Sequence, residues 1–315
     1  MNLAPSPPAV LAISSQVARG SVGLRAAGFA LERLGVPVWK VPTIYLPWHP
    51  GQNARYGPAP RVPMSDGDVV AALDALVGAP FLEELGVILT GYFASAGQVA
   101  AVCRAIDRAR ESRDQLLVIC DPVCADHHGT YVPAEVVDAI RAELLPRCDL
   151  ATPNRFELAI LAGTQDEATD NAGLIALGEK LPPDAIMVTS AFGLMHQSTG
   201  VLLVEKARDR AILAEHTRVD GAPHGTGDLF SALIAAHLAL GAPMDASMNA
   251  SIDKAMMQAT ASVFEIVARS VKAGSSELTI AAEQNALVRP MAMVTQRQLA
   301  RGKPRGARAV PTPLT

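Results

Sequence analysis

The sequence has few aromatic residues: Phe, Trp and Tyr make up 4% of its 315 residues, although 50% of the residues are hydrophobic. A large core must therefore be built from Ala, Val, Leu and Ile, a composition typical of helices packed on buried strands. The chain also lacks a strong charge of either sign, since its formal net charge is −4. Without a dominant basic face, we expect no nucleic acid as its main partner.

Cysteine is scarce and scattered. The four cysteines are Cys103, Cys120, Cys124 and Cys148. They lie in apolar segments without the spacing of a disulfide scaffold, which indicates a reducing cytoplasm. A zinc site built on Cys120 and Cys124, with two histidines close by, is the alternative. We favour the simpler interpretation that Cys120 ends a buried strand.

Long hydrophobic runs are missing as well. No stretch reaches 18 apolar residues without a charge, so we expect no membrane-spanning helix. Residues 1–8 have neither a basic start nor a long apolar stretch, and so do not resemble a signal peptide.

What the chain does contain is a regular alternation of short apolar runs and longer amphipathic ones. The runs predict strands at Val10–Ser14, Val36–Val41, Val87–Thr90, Leu116–Cys120, Leu150–Thr152, Ile186–Thr189, Val201–Glu205 and, as a further candidate, Ala211–Glu215. They predict helices at Arg19–Leu34, Asp68–Val77, Ala96–Arg113, Pro133–Leu144, Arg155–Ala162, Glu167–Lys180, Leu229–Leu240, Asp245–Lys272 and Ser276–Leu287. This order predicts βαβ units and an α/β/α sandwich around a mainly parallel sheet, with ligands beyond the carboxyl ends of the strands.

Three segments interrupt the alternation. Thr43–Pro63 contains five prolines and predicts a long irregular loop, which in a compact domain is usually functional. Ala125–Tyr131 predicts a polar loop. Residues 296–315 contain five basic residues and no acidic one, and we expect a disordered tail that begins after about residue 290.

The strongest local motif is Gly225-Thr226-Gly227-Asp228, directly before an apolar helix. Backbone N–H groups at a helix N-terminus lack intrahelical partners and point at an incoming anion, and glycines let that anion approach closely. Asp228, in the first turn, is placed either to cap the helix or to take a proton from an attacking alcohol. Phosphoryl transfer needs both an anion cradle and an oriented nucleophile.

Other polar positions have a purely structural interpretation beside any functional one. Asn154 and Glu157 have the spacing of a helix-capping box. Ser15 has the position of a cap for the helix that follows it, and Thr189 with Ser190 has the position of an ordinary strand end.

Several segments in chain order carry a family resemblance. They are residues 13–17, 33–39, 43, 91–92, 120–123 (Cys-Asp-Pro-Val), 152–157 (Thr-Pro-Asn-Arg-Phe-Glu), 225–228, 262–264 and 275–278. Over residues 10–290 they resemble the pyridoxal kinase family of the ribokinase-like superfamily. The resemblance implies a single ribokinase-like kinase domain at residues 1–290, followed by the basic tail at 291–315.

The resemblance also implies a function and a set of site residues. The function is the ATP-dependent phosphorylation of the 5′-hydroxymethyl group of pyridoxal, pyridoxine or pyridoxamine. For phosphoryl transfer it implies Asp228 as general base, an anion hole from Gly225, Thr226 and Gly227, and Mg²⁺ held through Asp121 and Glu157. For the nucleotide it implies Asn154, Thr189 and Ser190, and for the vitamin Ser15, Thr43, Tyr92 and His49, with residues 125–131 as a lid. A monovalent cation such as K⁺, a homodimer and a cytoplasmic location follow from the family too.

The segment after Thr43 departs from the family pattern. The family commonly continues Val-Gln-Phe-Ser-Asn-His, whereas this chain has Ile-Tyr-Leu-Pro-Trp-His, so that only His49 is kept among the polar residues. Trp48 offers stacking area instead. Gln16 stands where the family usually has a histidine, and the usual Asn-Ser is missing from the segment that begins at Gly20. These changes concern the acceptor more than the phosphoryl chemistry.

Three alternatives therefore stay open. A hydroxymethylpyrimidine kinase resembles the Pro-His-Gly-Thr-Gly run, but that family usually has cysteine at the position of Asp228. A sugar kinase would keep the aspartate, but it fits the two segments at residues 121–123 and 152–157 less well. A vitamin-binding protein without turnover would not need a base and a metal site together.

Overall fold

The computed structural model describes residues 6–164, 166–241 and 248–300. Its strands are β1 (Ala9–Arg19), β2 (Val38–Trp48), β3 (Val62–Pro63), β4 (Leu85–Thr90), β5 (Leu117–Cys120), β6 (Ala125–Asp126), β7 (Gly129–Thr130), β8 (Leu150–Ala151), β9 (Ala185–Phe192), β10 (Ser198–Glu205), β11 (Arg210–Thr217) and β12 (Thr295–Leu299). Its helices are α1 (Gly23–Arg33), α2 (Asn53–Tyr56), α3 (Asp66–Val77), α4 (Ala96–Arg110), α5 (Ala134–Ala139), α6 (Arg155–Leu161), α7 (Asn171–Gly178), α8 (Thr226–Leu240), α9 (Met248–Lys272) and α10 (Asn285–Val288).

Ten strands form one sheet in the order β12-β11-β10-β9-β8-β5-β4-β1-β2-β3. The six strands from β9 to β2 are parallel to their neighbours, whereas β10, β11 and β12 at one edge and β3 at the other pair antiparallel. The predicted mainly parallel sheet is confirmed. The four buried cysteines are free thiols.

The two faces of the sheet carry separate hydrophobic cores. In β4, Ile88 packs into the core under α3 to α7, while Val87 and Leu89 pack into the core under α1, α8 and α9. A central strand buried on both faces has no solvent-exposed positions, which explains the nearly continuous apolar runs in the sequence. The three-layer α/β/α architecture is thereby confirmed.

The expectation of an irregular loop at residues 43–63 is wrong. β2 continues to Trp48, a 3₁₀ turn covers Pro50–Gln52, α2 follows, and β3 pairs back onto β2. Buried Ile44 and Leu46 alternate with exposed Tyr45, a strand pattern that the prolines obscured. Proline is tolerated here because β2 lies near the edge of the sheet. We call residues 43–63 the flap.

Other boundaries were also wrong. Residues 125–130 are not an open loop but a two-stranded hairpin of β6 and β7. α1 begins at Gly23 rather than Arg19, because β1 continues to Arg19 beside β2. Of the helix expected at residues 276–287, only α10 forms, and it overlaps the last residues of that span. The helix expected at residues 167–180 is confined to Asn171–Gly178.

The predicted tail overlaps the folded domain. Thr295–Leu299 forms β12, which pairs antiparallel with β11 at the sheet edge. Arg297 anchors this strand, since its guanidinium bonds the buried Glu215 carboxylate on β11. The domain therefore extends to Leu299 instead of residue 290, while residues 301–315 of the expected tail and residues 245–247 of the expected long helix lie outside the described residues. Among the residues that the structure describes, no helix combines the length and apolarity needed to cross a membrane.

Candidate active site

The motif Gly225–Asp228, here called the glycine turn, lies at the carboxyl edge of the parallel strands and leads into α8. Gly225 has φ +97°, and a Cβ atom there would lie 2.1 Å from the Ser21 carbonyl oxygen. Only glycine fits such a left-handed and crowded position. The turn therefore brings the N-terminus of α8 directly against the segment that precedes α1.

The start of α8 faces open space. A Cβ atom on Gly227 would meet no atom closer than the Asp121 Oδ2, at 3.8 Å. The first N–H groups of the helix have no intrahelical partner, and the helix dipole adds positive potential there. The gap between α8 and Asp121 can therefore hold an anion that approaches the backbone closely.

Asp228 projects from the first turn of α8 toward the N-terminus of α1. The Gly23 N–H donates to its carboxylate, and Gly23 itself has φ +56° with Ser15 packed against its Cα. Burial raises the pKa of Asp228 to about 6, although the Gly23 hydrogen bond opposes the shift. At neutral pH the carboxylate is ionised yet more basic than an ordinary aspartate, as a general base requires.

Asp121 lies across the gap, directly after β5. It is 5% exposed, and the Ser231 hydroxyl of α8 donates to its Oδ2 over 3.0 Å. Burial, then the nearby carboxylates of Glu157 and Asp228, raise the pKa of Asp121 well above its usual value, against the Ser231 hydrogen bond. Three carboxylates thus repel one another around one gap.

Asn154 and Glu157 form the capping box that their spacing predicted. The Asn154 Oδ1 accepts from the Phe156 and Glu157 N–H groups, and the Glu157 Oε2 accepts from the Asn154 N–H over 2.9 Å. The same two side chains also hold the 125–130 hairpin. The Glu157 Oε1 accepts from the Cys124 N–H over 2.9 Å, and the Asn154 Nδ2 donates to the Ala125 carbonyl over 2.8 Å.

The pKa of Glu157 is raised despite these hydrogen bonds. Burial raises its pKa to about 7, with Asp228 adding to the shift and the backbone hydrogen bonds opposing it. The donors fix the carboxylate orientation, so its remaining lone pairs point at fixed positions.

The carboxylates fit a hard divalent cation that is completed by other ligands. Within the described residues, no three acidic, histidine or cysteine side chains converge closely enough to hold a metal ion alone. Mg²⁺ is usually bound by one or two carboxylates together with waters and substrate phosphates. A cation in the gap would stabilise the ionised form of Asp121, whose pKa is raised by burial and then by the neighbouring carboxylates.

Thr189 and Ser190 lie beside this gap at the end of β9. The Thr189 N–H donates to the Pro153 carbonyl over 2.9 Å, and Thr189 bridges Asn154 in parallel fashion. Ser190 is exposed with φ +57°, a strained conformation for a residue with a side chain. The structure therefore brings all three residues predicted for the nucleotide to one place.

A pocket opens behind Asp228, between the strands and the two helices α1 and α8. Its lining includes Ser14, Gly23, Thr90, Gly91, Asp121, Asp228 and Ser231. Ser15, predicted for the acceptor, borders this region through its contact with Gly23, and it does not cap α1.

Other residues of the predicted acceptor region also hold the flap together. Thr43 is fully buried, and its hydroxyl donates to the Tyr92 carbonyl over 2.7 Å, so it stabilises the base of the flap instead of lining the pocket. The Tyr92 phenol bonds Arg61 of the flap. The Trp48 indole N–H is taken up by Asn53 and Gly57, so Trp48 holds the flap together.

His49 does reach the site. Its Nδ1 accepts from the Gly51 N–H over 3.0 Å, and its ring lies 4.5 Å from that of His224, between ring centroids. His224 immediately precedes the glycine turn. The flap and the turn are therefore in contact.

Sequence reasoning missed three residues of this site: Ser14, His224 and Ser231. Ser231 lies three residues after Asp228, on the same face of α8, so helical spacing alone could have found it. The Ser14 Oγ accepts from the Tyr92 N–H over 3.0 Å, a contact 78 residues apart in the chain that no local pattern signals.

Comparisons with known proteins agree with this fold. The family model described as phosphomethylpyrimidine kinase matches residues 81–279. The fold and the site therefore define the chain as a ribokinase-like small-molecule kinase.

Similar curated proteins narrow this class. A pyridoxal kinase PdxY of Rubrobacter xylanophilus is 31% identical over 92% of this chain and 97% of its own length. A pyridoxine/pyridoxal/pyridoxamine kinase of Bordetella avium is 37% identical over 77% of this chain and 81% of its own. The chain belongs to the pyridoxal kinase family.

Solved structures extend the likeness to three dimensions. The pyridoxal kinase of Leishmania donovani in complex with ADP and pyridoxine superposes with a TM-score of 0.81 at 26% identity, over 92% of this chain and 99% of that one. The same kinase with ADP and pyridoxamine gives a TM-score of 0.82 at 25% identity, over 93% and 100%.

Proposed function

We propose that this chain transfers the γ-phosphoryl group of ATP to the 5′-hydroxymethyl group of a vitamin B6 vitamer. The observation that carries the proposal is the opposition of Asp228 and Asp121 across the open N-terminus of α8. A base, an anion cradle and a carboxylate beside it are the parts that phosphoryl transfer to an alcohol needs. Membership of the pyridoxal kinase family supports the acceptor class.

Each residue has a definite task in this reaction. Asp228, ionised at neutral pH, accepts the proton of the acceptor hydroxyl as that oxygen attacks phosphorus. The Gly23 N–H holds the carboxylate in position. The N–H groups of Gly225, Thr226 and Gly227 stabilise the negative charge on the equatorial phosphoryl oxygens.

Mg²⁺ supplies charge neutralisation and orientation of the phosphates when it is bound. Asp121 and Glu157 would hold it, and the Glu157 carboxylate is kept in a fixed orientation by the backbone N–H groups that it accepts. The proposal that a monovalent cation such as K⁺ takes part rests on the family resemblance alone.

The nucleotide lies along Asn154, Thr189 and Ser190, at the carboxyl ends of β8 and β9. Family members crystallised with ADP support ATP as the donor. The 125–130 hairpin, held by Asn154 and Glu157, acts as the lid that keeps water from competing with the acceptor.

The acceptor lies against Ser15, Tyr92 and His49. A hydroxymethylpyrimidine is the second candidate, since the matching family model carries that chemistry in its description and the flap sequence is divergent. Asp228 favours the B6 vitamers, and its retention beside Asp121 also argues against a protein that binds without turnover.

The cellular setting is part of the same proposal. Four buried free thiols support a reducing cytoplasm. A homodimer is proposed from the family resemblance and from the frequency of closed two-fold dimers.

The test is an acceptor panel with Mg-ATP: pyridoxal, pyridoxine, pyridoxamine and hydroxymethylpyrimidine, with ADP release and phosphorylated product measured together. We expect product with at least one B6 vitamer at a kcat/KM above that of the pyrimidine. Turnover of hydroxymethylpyrimidine alone would show that this compound, and not a B6 vitamer, is the acceptor. Saturable vitamer binding without ADP release would indicate a protein that binds the vitamer without phosphorylating it.

A further inference from the structure

Three parts of the site that are far apart in sequence meet at one pair of imidazole rings. His49 belongs to the flap, and His224 directly precedes the glycine turn. Their ring centroids are 4.5 Å apart and the ring planes are inclined by 36°. Asp126 of the 125–130 hairpin is close enough to act on the charge of His49. The rings lie where the flap, the turn and the hairpin converge.

The contact is built by the backbone as well as by the rings. The Gly51 N–H fixes the His49 ring by donating to its Nδ1, so the proton of the neutral ring is on Nε2. A Cβ atom on Gly51 would lie 2.6 Å from the His224 Nε2. Gly51 therefore lies directly against the two rings, and a side chain at position 51 would displace the His224 ring from its present place.

The protonation state of His49 allows the two rings to pack closely. Burial, then the neighbouring His224, lower the pKa of His49 to about 4, with Asp126 opposing the shift. At neutral pH His49 is therefore uncharged, and it packs against His224 without repulsion. His224 itself is exposed.

We propose that His224 is a positioning residue for the acceptor: packed against His49, it latches the flap to the glycine turn and so sets the closed acceptor site. The inference rests on the proposed function, since it concerns how the acceptor is held. It gives the divergent flap a means of closure through His49, the one polar residue of the family pattern that the flap keeps. Removing the latch raises the acceptor KM, because the open flap must be closed at the expense of binding energy.

The test uses His49→Ala, His224→Ala, the double variant and Gly51→Ala, with His224→Phe as an aromatic replacement. We expect each alanine variant to raise the acceptor KM about tenfold, with kcat and the ATP KM changed by less than about twofold. The double variant should match His49→Ala, because removing His224 has no further effect once its partner ring is gone. Phe at position 224 restores the ring and should recover most of the acceptor KM.

Gln52→Ala is the matched control. Gln52 tethers the same flap through a hydrogen bond of 3.0 Å to the Ser276 carbonyl, which follows α9 and does not belong to the glycine turn. An increase in acceptor KM equal to that of His224→Ala would overturn the proposal, because general loosening of the flap would then explain both. Additive effects of the two histidines would overturn it too.

A second readout needs no kinase activity. Arg55 and Arg61 are exposed tryptic sites within the flap. Without ligands, His224→Ala and Gly51→Ala should be cleaved there several times faster than the wild type. If the wild type phosphorylates no vitamer, this assay still decides on the latch. If the wild type is active but cleavage and acceptor KM are unchanged in both variants, the latch alone is wrong.

Discussion

The floor of the site and the flap above it are built in different ways. The floor consists of the glycine turn with Asp121 and Glu157, whose carboxylates are held by backbone N–H groups, Ser231 and burial. The flap is half-exposed and is held by contacts with distant segments, among them Thr43 with Tyr92 and His49 with His224. The floor fixes the chemistry, whereas the flap decides which acceptor is held.

The largest effect should follow from crowding the glycine turn. Gly225→Ala puts a Cβ 2.1 Å from the Ser21 carbonyl at φ +97°. We expect a loss of stability on the order of 3 kcal/mol and, where the protein still folds, at least about a hundredfold loss of kcat/KM, because the turn must shift. Chemical denaturation and steady-state kinetics measure both.

Gly221→Ala is the control for this variant. Gly221 also has a positive φ, +76°, but a Cβ there meets nothing within 4 Å. It should cost only the backbone strain, about 1–2 kcal/mol, and leave kcat/KM unchanged. Equal losses of activity in the two variants would contradict the special place of Gly225.

A second prediction concerns the energetic cost of the base. The pKa of Asp228 is raised from 3.8 to about 6, so the folded state holds the proton more tightly than the unfolded state does. Wild-type stability is therefore lost as the pH rises through this range. Asp228→Asn lacks that loss and should be more stable than the wild type by up to about 3 kcal/mol at pH 8, and by about half that at pH 5. Asp220→Asn, at an exposed ion pair, should give no such difference.

Gly227→Ala separates stability from activity. Gly227 and Gly67 each occupy the second position of a helix, and in each the nearest atom to an added Cβ is 3.8 Å away. Both substitutions should leave stability equal or up to about 1 kcal/mol higher. Only Gly227→Ala should lower kcat/KM, by roughly tenfold or more, because its methyl group fills the gap toward Asp121. An unchanged kcat/KM in Gly227→Ala would show that the phosphates do not bind at the start of α8.

The smallest effect is expected in the flap. Thr43→Val removes the hydroxyl that bonds the Tyr92 carbonyl in a fully buried position. It should lower the free energy of unfolding by about 1–3 kcal/mol while the acceptor KM changes by less than about threefold. Thr43→Ser keeps the hydroxyl and is the control. A large rise in acceptor KM at unchanged stability would restore Thr43 as an acceptor contact.

The two regions also differ in how far the sequence predicted them. Gly225–Asp228 and the Asn154–Glu157 capping box are local patterns, with signals within four residues, and both formed as expected. The alternation of apolar runs likewise predicted the layers, because buried parallel strands have no polar face. The flap was misread as a loop because its strand pairing depends on partners far along the chain and its prolines mask the alternation of Ile44 and Leu46.

Long-range contacts explain the other errors. Thr295–Leu299 is basic and polar, and nothing local marks it as a strand; it forms because Arg297 meets the buried Glu215 carboxylate on β11. His224 had no local signal either, since its partner His49 lies in the flap, far earlier in the chain.

The most direct test of the central claim is to detect phosphorylated vitamer by mass spectrometry after incubation with Mg-ATP, for wild type, Asp228→Asn and Asp220→Asn at equal concentration. The account predicts product from the wild type and from Asp220→Asn. It predicts a roughly 10²–10⁴-fold lower rate for Asp228→Asn, which should fold at least as well. Undiminished product from Asp228→Asn would contradict the assignment of the base, and no product from the folded wild type would contradict the kinase itself.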